Sequence, residues 1–383
     1  MLYLIVLMLV LYCVYNFDAC GHKRNRDTWF YFLLIVFIII SGFAYRLGYD
    51  NANYMSEFPM YRMNGGYGWE ELTSYSGRQP LWVLMTKICK AIVNKYWFFK
   101  LAHSLLINTL IFFAFRRLTK YVFTAILFYF VLVYFDYNFQ VMRQSIAVAL
   151  FMSSISKYKD NKWLPYYLIN ILGFLFHEAA IITFLLPFIK LMKISVLSIS
   201  AFFDLSIAGV LGGSFLVETL LPNVMDLFIG DKALYYMSQM DDESAVIGLN
   251  IILSVLIPLV FILKKVRNNS VGINDYFVMI YGLLYGLGLN VPIIYRLNQF
   301  FILFFYICYI EIFAQLAIWA KSKLGVNAKR TFICVCLLFL TYRARMYLLP
   351  FAGSDIPSYA QFYPYHSILF EMKDPTREAL LMR

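Results

Sequence analysis

The sequence predicts an all-α membrane protein, and three observations support that class. Apolar residues make up 62% of the 383 positions, charged residues only 14%, and the mean hydropathy is +0.68. Soluble globular domains are about half apolar and about a quarter charged, so a soluble class is excluded. Apolar runs close to the length of a membrane crossing, about 20 residues, recur along the chain, whereas the alternation of a membrane β-barrel does not.

Composition excludes other classes as well. The aromatic content of 19% is too high for a disordered chain. Six scattered cysteines show no disulfide framework, and neither they nor the carboxylates have metal-ligand spacing, so we expect no metal and no cofactor. The net charge of +11 lies in no basic stripe on a soluble face, so we expect membrane lipids and no nucleic acid as its partner.

We predict about twelve transmembrane helices, because lipid-exposed backbone must satisfy its hydrogen bonds internally and a helix does so within one apolar run. The first run has no charged leader region and no clean cleavage site, so we expect an uncleaved anchor with its N-terminus outside. The predicted helices lie near residues 1–17, 29–45, 98–115, 121–136, 141–157, 163–177, 178–192, 195–217, 246–263, 273–289, 298–320 and 331–348.

Basic residues give the orientation of these helices. Every second connection is rich in Lys and Arg, which is typical of the cytoplasmic side. These connections lie near residues 23–26, 116–120, 157–162, 190–193, 264–267 and 321–330. The alternation places both termini outside, together with the long segments 46–97, 218–245 and 349–383. We therefore expect one integral membrane domain over residues 1–383, with its chemistry at the outer face.

The apolar-looking stretch 81–97 is predicted not to cross the membrane, because one more crossing would break the charge alternation. It carries Lys87, Lys90 and Lys95 among leucine, isoleucine and tryptophan residues, at spacings that put the lysines near one face. This pattern predicts an amphipathic helix that lies in the outer interface.

Ionisable residues near the outer helix ends form the candidate site. Such groups are unfavourable at membrane depth unless they have a partner, water or a ligand. Guanidinium forks bind phosphate oxygens in pairs, so arginines at one interface can hold a lipid diphosphate while its tail stays in the bilayer. The candidate diphosphate ligands are Arg46, Arg143, Arg296, Arg343 and Arg345.

Each arginine also has a simpler explanation, since an arginine at a helix end can extend to lipid headgroups. This explanation is weaker for Arg143, because Gln144 and Ser145 extend a polar patch into the helix, where extension to headgroups is not needed. Tyr54 and Gln144 are candidate supporting residues.

Three further residues are candidates for acid–base chemistry. His177 is either a hydrogen-bonded core residue or functional, and its place in the apolar run 164–190 favours function. Glu178 is either its partner or a lipid-facing end residue. Asp50 is either a base or a helix cap.

Four segments of the chain carry motifs in a fixed order. Residues 139–189 contain Arg143-Gln144-Ser145-Ile146-Ala147, followed by a basic turn and Phe176-His177-Glu178-Ala179-Ala180. The other segments are RLGYDNANYMSEF from Arg46, IYRLNQFFILFF from Ile294 and FYPYHSILF from Phe362. Together they resemble the EpsG family of bacterial exopolysaccharide and O-antigen polymerases of the Wzy type, with residues 139–189 similar to its signature region and Ala179 in place of a serine. Gln79-Pro80-Leu81-Trp82 is more distantly similar to glycosyltransferases of the GT-C type.

The resemblance implies a glycosyltransferase in the bacterial inner membrane whose active site faces the periplasm or cell exterior. It would transfer a glycan from one undecaprenyl diphosphate to a sugar hydroxyl of another lipid-linked repeat unit. The arginines would stabilise the leaving diphosphate, and His177 or Asp50 would accept the proton. A flippase and a chain-length regulator are the implied protein partners. Two alternatives stay open: a single-addition GT-C enzyme or O-antigen ligase, and a flippase for lipid-linked sugars.

Overall fold

The described part of the chain is helical, with two isolated β-bridges and no strand. It forms two compact units, residues 1–181 with 313–383, and residues 182–312. The expectation of one membrane domain over the whole chain stays a prediction. The predicted outer segment 218–245 lies almost wholly outside the described residues. A computed structural model describes residues 1–62, 66–75, 77–189, 194–219, 249–288, 292–351 and 355–381.

The helices follow the predicted apolar runs, with interruptions. The helices within residues 1–181 are α1 Leu2–Cys13, α2 Arg26–Gly42, α3 Tyr49–Glu57, α4 Trp69–Thr73, α5 Pro80–Ile92, α6 Tyr96–Leu118, α7 Val122–Leu132, α8 Tyr134–Phe139, α9 Met142–Lys159 and α10 Trp163–Phe176. The rest are α11 Ile182–Ile189, α12 Val196–Thr219, α13 Ile257–Arg267, α14 Ile273–Gly288, α15 Pro292–Asn298, α16 Ile302–Leu324, α17 Ala328–Ala344 and α18 Pro375–Leu381.

Five helical segments among the described residues are long and apolar enough to cross a membrane, so the predicted count of about twelve is not confirmed. Several other predicted crossings are shorter because the helix is interrupted. At Val133, where φ is −136°, the backbone leaves the helical conformation and separates α7 from α8. The five segments are Leu2–Ala19, Tyr96–Leu118, Leu249–Arg267, Ile302–Leu324 and Ala328–Leu348.

Helix α5 is the predicted non-crossing helix, but its lysines face the protein. The Lys90 ammonium donates to the carbonyls of Phe58 at 3.0 Å and Tyr61 at 2.8 Å, and it also contacts that of Pro59. Lys87 is fully buried and donates to the Glu71 carboxylate at 3.0 Å, which lowers the pKa of that carboxyl group. The exposed face is apolar, with isoleucines at positions 88 and 92. Lys87 and Lys90 share a face as predicted, and that face holds the preceding loop. The helix ends at Ile92, so Lys95, which is exposed, does not share this face.

Buried polar groups hold the turn between α8 and α9. The Lys100 ammonium donates to the Asn138 carbonyl at 2.6 Å, and a ring nitrogen of His103 lies 2.9 Å from the Met142 carbonyl oxygen. Both side chains are fully buried in α6. They therefore fix the backbone immediately before Arg143.

The segment 358–381 packs on the end of α2. The Tyr45 amide donates to the His366 carbonyl at 2.9 Å, and the Gly48 amide donates to the Gln361 carbonyl at 3.0 Å. The predicted outer segments 46–97 and 349–383 thus meet at the same end of the first unit.

In the second unit, an ion-paired group joins α13, α14 and α16. The Lys265 ammonium lies 2.9 Å from a carboxylate oxygen of Asp275 and 2.8 Å from one of Glu311. Both carboxylates thereby take part in the packing of these helices.

Candidate functional site

Helix α3 carries three polar residues on one face. Asp50, Tyr54 and Glu57 are spaced by four and three residues, which places them in line on a helix. Gly48 precedes this helix with φ of +73°, and a Cβ atom there would lie 2.7 Å from the Phe139 carbonyl oxygen. The absence of a side chain therefore lets α3 begin directly against the turn that leads into α9.

Arg143, in the first turn of α9, is the centre of the site. Its Nε donates to the Tyr54 hydroxyl at 2.9 Å, and its Nη1 donates to the Gly77 carbonyl at 2.8 Å and to the Gln79 side-chain oxygen. All three acceptors are uncharged. Within the described residues no carboxylate pairs with this guanidinium and its Nη2 donates no hydrogen bond. Within the described part of the chain, neutral acceptors thus orient the guanidinium, an arrangement suited to binding an anion.

The turn before α5 links Arg143 to the end of α10. Gly77 has φ of +68°, a conformation that favours glycine, and Gln79 is followed by Pro80 at the first helical position. The Gln79 amide nitrogen donates to the Glu178 carboxylate at 3.2 Å. Gln79 therefore bridges Arg143 and the residue after His177.

Tyr54 extends the same chain of hydrogen bonds to Asp50, with 3.5 Å between the phenol oxygen and a carboxylate oxygen. Burial raises the pKa of the Tyr54 phenol and the Asp50 charge adds to this shift, while Arg143 and Arg78 partly oppose it. The phenol is therefore neutral, accepting from Arg143 and donating to Asp50. Its ring packs on Trp82, with 4.6 Å between the ring centroids.

A second guanidinium, not predicted, lies beside this chain. Arg78 donates to both carboxylate oxygens of Glu57, with 3.0 Å for the Nε contact. Its Nη1 lies 3.3 Å from the Gly77 carbonyl oxygen, and its guanidinium carbon lies 5.1 Å from the centroid of the Tyr54 ring. No signal in the sequence singled out Arg78 or Glu57, because both lie in a polar segment where charged residues are ordinary.

His177 ends α10 in an extended conformation and is buried. Its Nδ1 accepts a hydrogen bond from the Ala179 amide at 3.2 Å, so the neutral ring carries its proton on Nε2. Gly173, one turn earlier, packs against the backbone of Ala147, which is one turn after Arg143. The antiparallel packing of α9 and α10 thus places both ends at one level.

Arg46 has a carboxylate partner. Its Nε and Nη2 donate to the two carboxylate oxygens of Glu378, each at 2.7 Å. This hydrogen bond raises the pKa of Arg46.

The other predicted residues have different surroundings. Arg345 lies on the Tyr342 ring, 4.0 Å from its centroid. Arg343 is half-buried in the last turn of α17, and Arg296 is half-buried in α15 of the second unit. Gln144 is buried beside Arg143 in α9. In the described segments, no group of three or more His, Cys, Asp or Glu side chains is arranged to hold a metal ion.

These features define a helical membrane protein with a polar site at one end of its first unit. The chain belongs to the EpsG family, whose model matches residues 27–367. The match confirms the resemblance found in the motifs. The EpsG family is known as a family of Wzy-type polysaccharide polymerases. No curated protein and no solved structure is significantly similar to the chain.

Proposed function

We propose that this protein is a glycosyltransferase that polymerises undecaprenyl-diphosphate-linked oligosaccharide repeat units into a surface polysaccharide. Family membership supports the class of reaction. The observation that carries the proposal is Arg143, whose guanidinium is held by three uncharged acceptors. Such a group is suited to a diphosphate, because a bound anion would supply the missing negative charge.

In this proposal Arg143 stabilises the leaving group. As the bond between the anomeric carbon and the diphosphate oxygen breaks, negative charge grows on the diphosphate. Tyr54 and Gln79 hold the guanidinium fork in place before the substrate arrives. The protein then has little reorganisation to perform in the transition state.

Asp50 is the proposed base, and His177 the proposed hydrogen-bond donor. The acceptor hydroxyl oxygen bonds to the anomeric carbon, its proton passes to Asp50, and undecaprenyl diphosphate leaves with the electron pair of the broken bond. The Ala179 amide occupies the lone pair of His177 Nδ1, so the ring proton is on Nε2, and in the proposal this N–H donates to the diphosphate. Glu178 is within hydrogen-bonding distance of Gln79 and supports its orientation.

We place this site at the outer face of the bacterial inner membrane. The alternation of basic connections supports this orientation. The packing of the tail on the end of α2, at the same end as the site, agrees with it. An outer site also suits a substrate delivered by a flippase and a product whose length a regulator controls, and we propose both as partners.

The remaining arginines are secondary diphosphate ligands in the proposal. Arg46 would have to exchange Glu378 for a phosphate. Arg343 and Arg345 would approach the lipid substrate from the end of their own helix, and Arg296 stays a candidate ligand on the sequence argument. Gln144 would support the first turn of α9.

The test is deletion of the gene, followed by analysis of glycan length and of lipid-linked intermediates. Loss of a polymerase leaves single-unit products and removes the ladder. Loss of a single-addition enzyme shortens the unit, loss of a ligase leaves finished polymer on the lipid, and loss of a flippase leaves units on the inner leaflet. Complementation with the unsubstituted gene and with Arg143→Gln separates loss of the protein from loss of its site.

A further inference from the structure

Two guanidinium groups converge on one backbone oxygen. The Gly77 carbonyl lies 2.8 Å from Nη1 of Arg143 and 3.3 Å from Nη1 of Arg78. A carbonyl oxygen has two lone pairs and so can accept from both. Two cations at this separation repel each other, and the Glu57 carboxylate paired with Arg78 and the carbonyl dipole offset part of that repulsion. The arrangement therefore favours an anion that contacts both groups.

Tyr54 couples the same two groups from the other side. Its ring lies under the Arg78 guanidinium, while its hydroxyl accepts from Arg143. Glu57 occupies Nε and Nη2 of Arg78, which leaves Nη1 directed toward Gly77 and Arg143. The Arg78 and Glu57 side chains are 23% and 27% exposed, so a ligand can reach them.

We propose that Arg78 is a second phosphate-binding residue and that, with Arg143, it makes the site selective for a diphosphate over a monophosphate. This inference rests on the proposed function and assigns a residue that sequence analysis did not include. Arg143 binds one phosphate group and the Nη1 of Arg78 binds the other in place of the Gly77 carbonyl. Glu57 orients Arg78 and, as a neighbouring negative charge, weakens binding of the diphosphate product so that it is released.

The experiment measures lipid binding by the full chain in phosphatidylcholine nanodiscs, with undecaprenyl diphosphate and undecaprenyl monophosphate as the two probes. We expect Arg78→Gln to weaken diphosphate binding about 10- to 100-fold, as loss of a charged hydrogen bond implies. Monophosphate binding should change less than about twofold, because Arg143 is unaltered. Arg143→Gln should weaken binding of both probes. Arg62→Gln, an exposed arginine of the same segment, is the matched control.

The Glu57→Gln variant tests the inference through an expected gain in diphosphate binding rather than a loss of binding. The amide oxygen still accepts from Arg78 while the negative charge is gone, so diphosphate should bind several-fold more tightly. If the Arg78–Glu57 pair only holds the loop together, Glu57→Gln should instead weaken binding as Arg78→Gln does. That outcome, or equal loss of both probes in Arg78→Gln, would overturn the assignment of Arg78.

The same titrations separate this inference from the proposed function. If the unsubstituted protein binds neither lipid, both fail. If it binds the diphosphate and loses it in Arg143→Gln but not in Arg78→Gln, the proposed function stands and the second phosphate-binding residue does not.

Discussion

The guanidinium of Arg46 and the carboxylate of Glu378 form two parallel hydrogen bonds of 2.7 Å across 332 positions of sequence. Arg46 adopts a positive φ of 48°, which is unfavourable for a residue with a side chain. The adjacent backbone of Tyr45 bonds to His366 of the tail. The ion pair therefore adds a side-chain contact to the neighbouring backbone hydrogen bonds. Together these contacts hold the tail beside the site.

We expect Glu378→Ala to loosen the tail. Loss of a partly exposed bidentate pair should lower the free energy of unfolding by about 1 kcal/mol. Protease cleavage after residue 355 in proteoliposomes should become faster, and Lys373→Ala, on an exposed residue of the same segment, should not change it. Equal cleavage rates in both variants would show that the backbone contacts alone hold the tail.

Arg143→Lys and Arg143→Gln should both abolish the polymer ladder, with at least about a 100-fold loss of activity. An ammonium group cannot reproduce the fork that binds two oxygens, whereas an arginine that only reaches headgroups tolerates lysine. Ladder formation is compared at matched protein level, with Arg117→Lys, an exposed arginine at the end of α6, as control. Near-normal ladders from both Arg143 variants would return this residue to the headgroup explanation.

His177→Ala should abolish polymer formation while folded protein stays in the membrane, and His177→Gln should retain part of the activity. The reason is that an amide still donates a hydrogen bond but is a very poor base. His22→Ala, at an exposed histidine, is the control. Equal loss in both His177 variants with substrate binding intact would make the ring the base, and normal ladders in both would remove it from the site.

Lys90→Met should destabilise the loop before α5, because three carbonyl oxygens lose one charged donor. We expect a loss of about 2 kcal/mol, measured by chemical unfolding in detergent. Lys95→Met, on an exposed side chain three residues after α5, is the matched control. If the two variants unfold at the same denaturant concentration, the lysine does not hold the loop.

Cysteines introduced as Ser74→Cys and Ser358→Cys into a cysteine-free background should react with an impermeant thiol reagent in intact spheroplasts. Ser322→Cys, at an exposed position predicted to be inside, should react only after permeabilisation. The opposite pattern would invert the orientation and place the proposed site on the cytoplasmic side.

The sequence predicted the membrane class and the family because many residues along the chain contribute to each of these signals. Arg143 and His177 could be named as candidates, since a charged or polar ring group at the start of an apolar run or inside one is conspicuous. Arg78 and Glu57 were not, because charge in a polar segment carries no comparable signal. Their pairing depends on the fold of a loop.

Hydropathy could not predict the orientation of α5 or the number of uninterrupted membrane-length helices, for a related reason. Periodicity groups Lys87 and Lys90 on one face but does not say whether that face meets water or backbone carbonyls. A window of mean hydropathy also passes over Val133, where the helix stops. In both cases the outcome depends on local backbone contacts and conformation, which a mean hydropathy does not represent.

Gly48 has a consequence for any scan of random substitutions across this chain. It has no functional group, yet alanine there would collide with Phe139 and push Asp50 and Tyr54 away from Arg143. Variants at position 48 should therefore be scored as inactive alongside residues that perform chemistry. Protein abundance would remain near normal if only the short α3 helix shifted. A screen for activity would therefore classify Gly48 as a catalytic residue, although its role is to let two backbone segments approach each other.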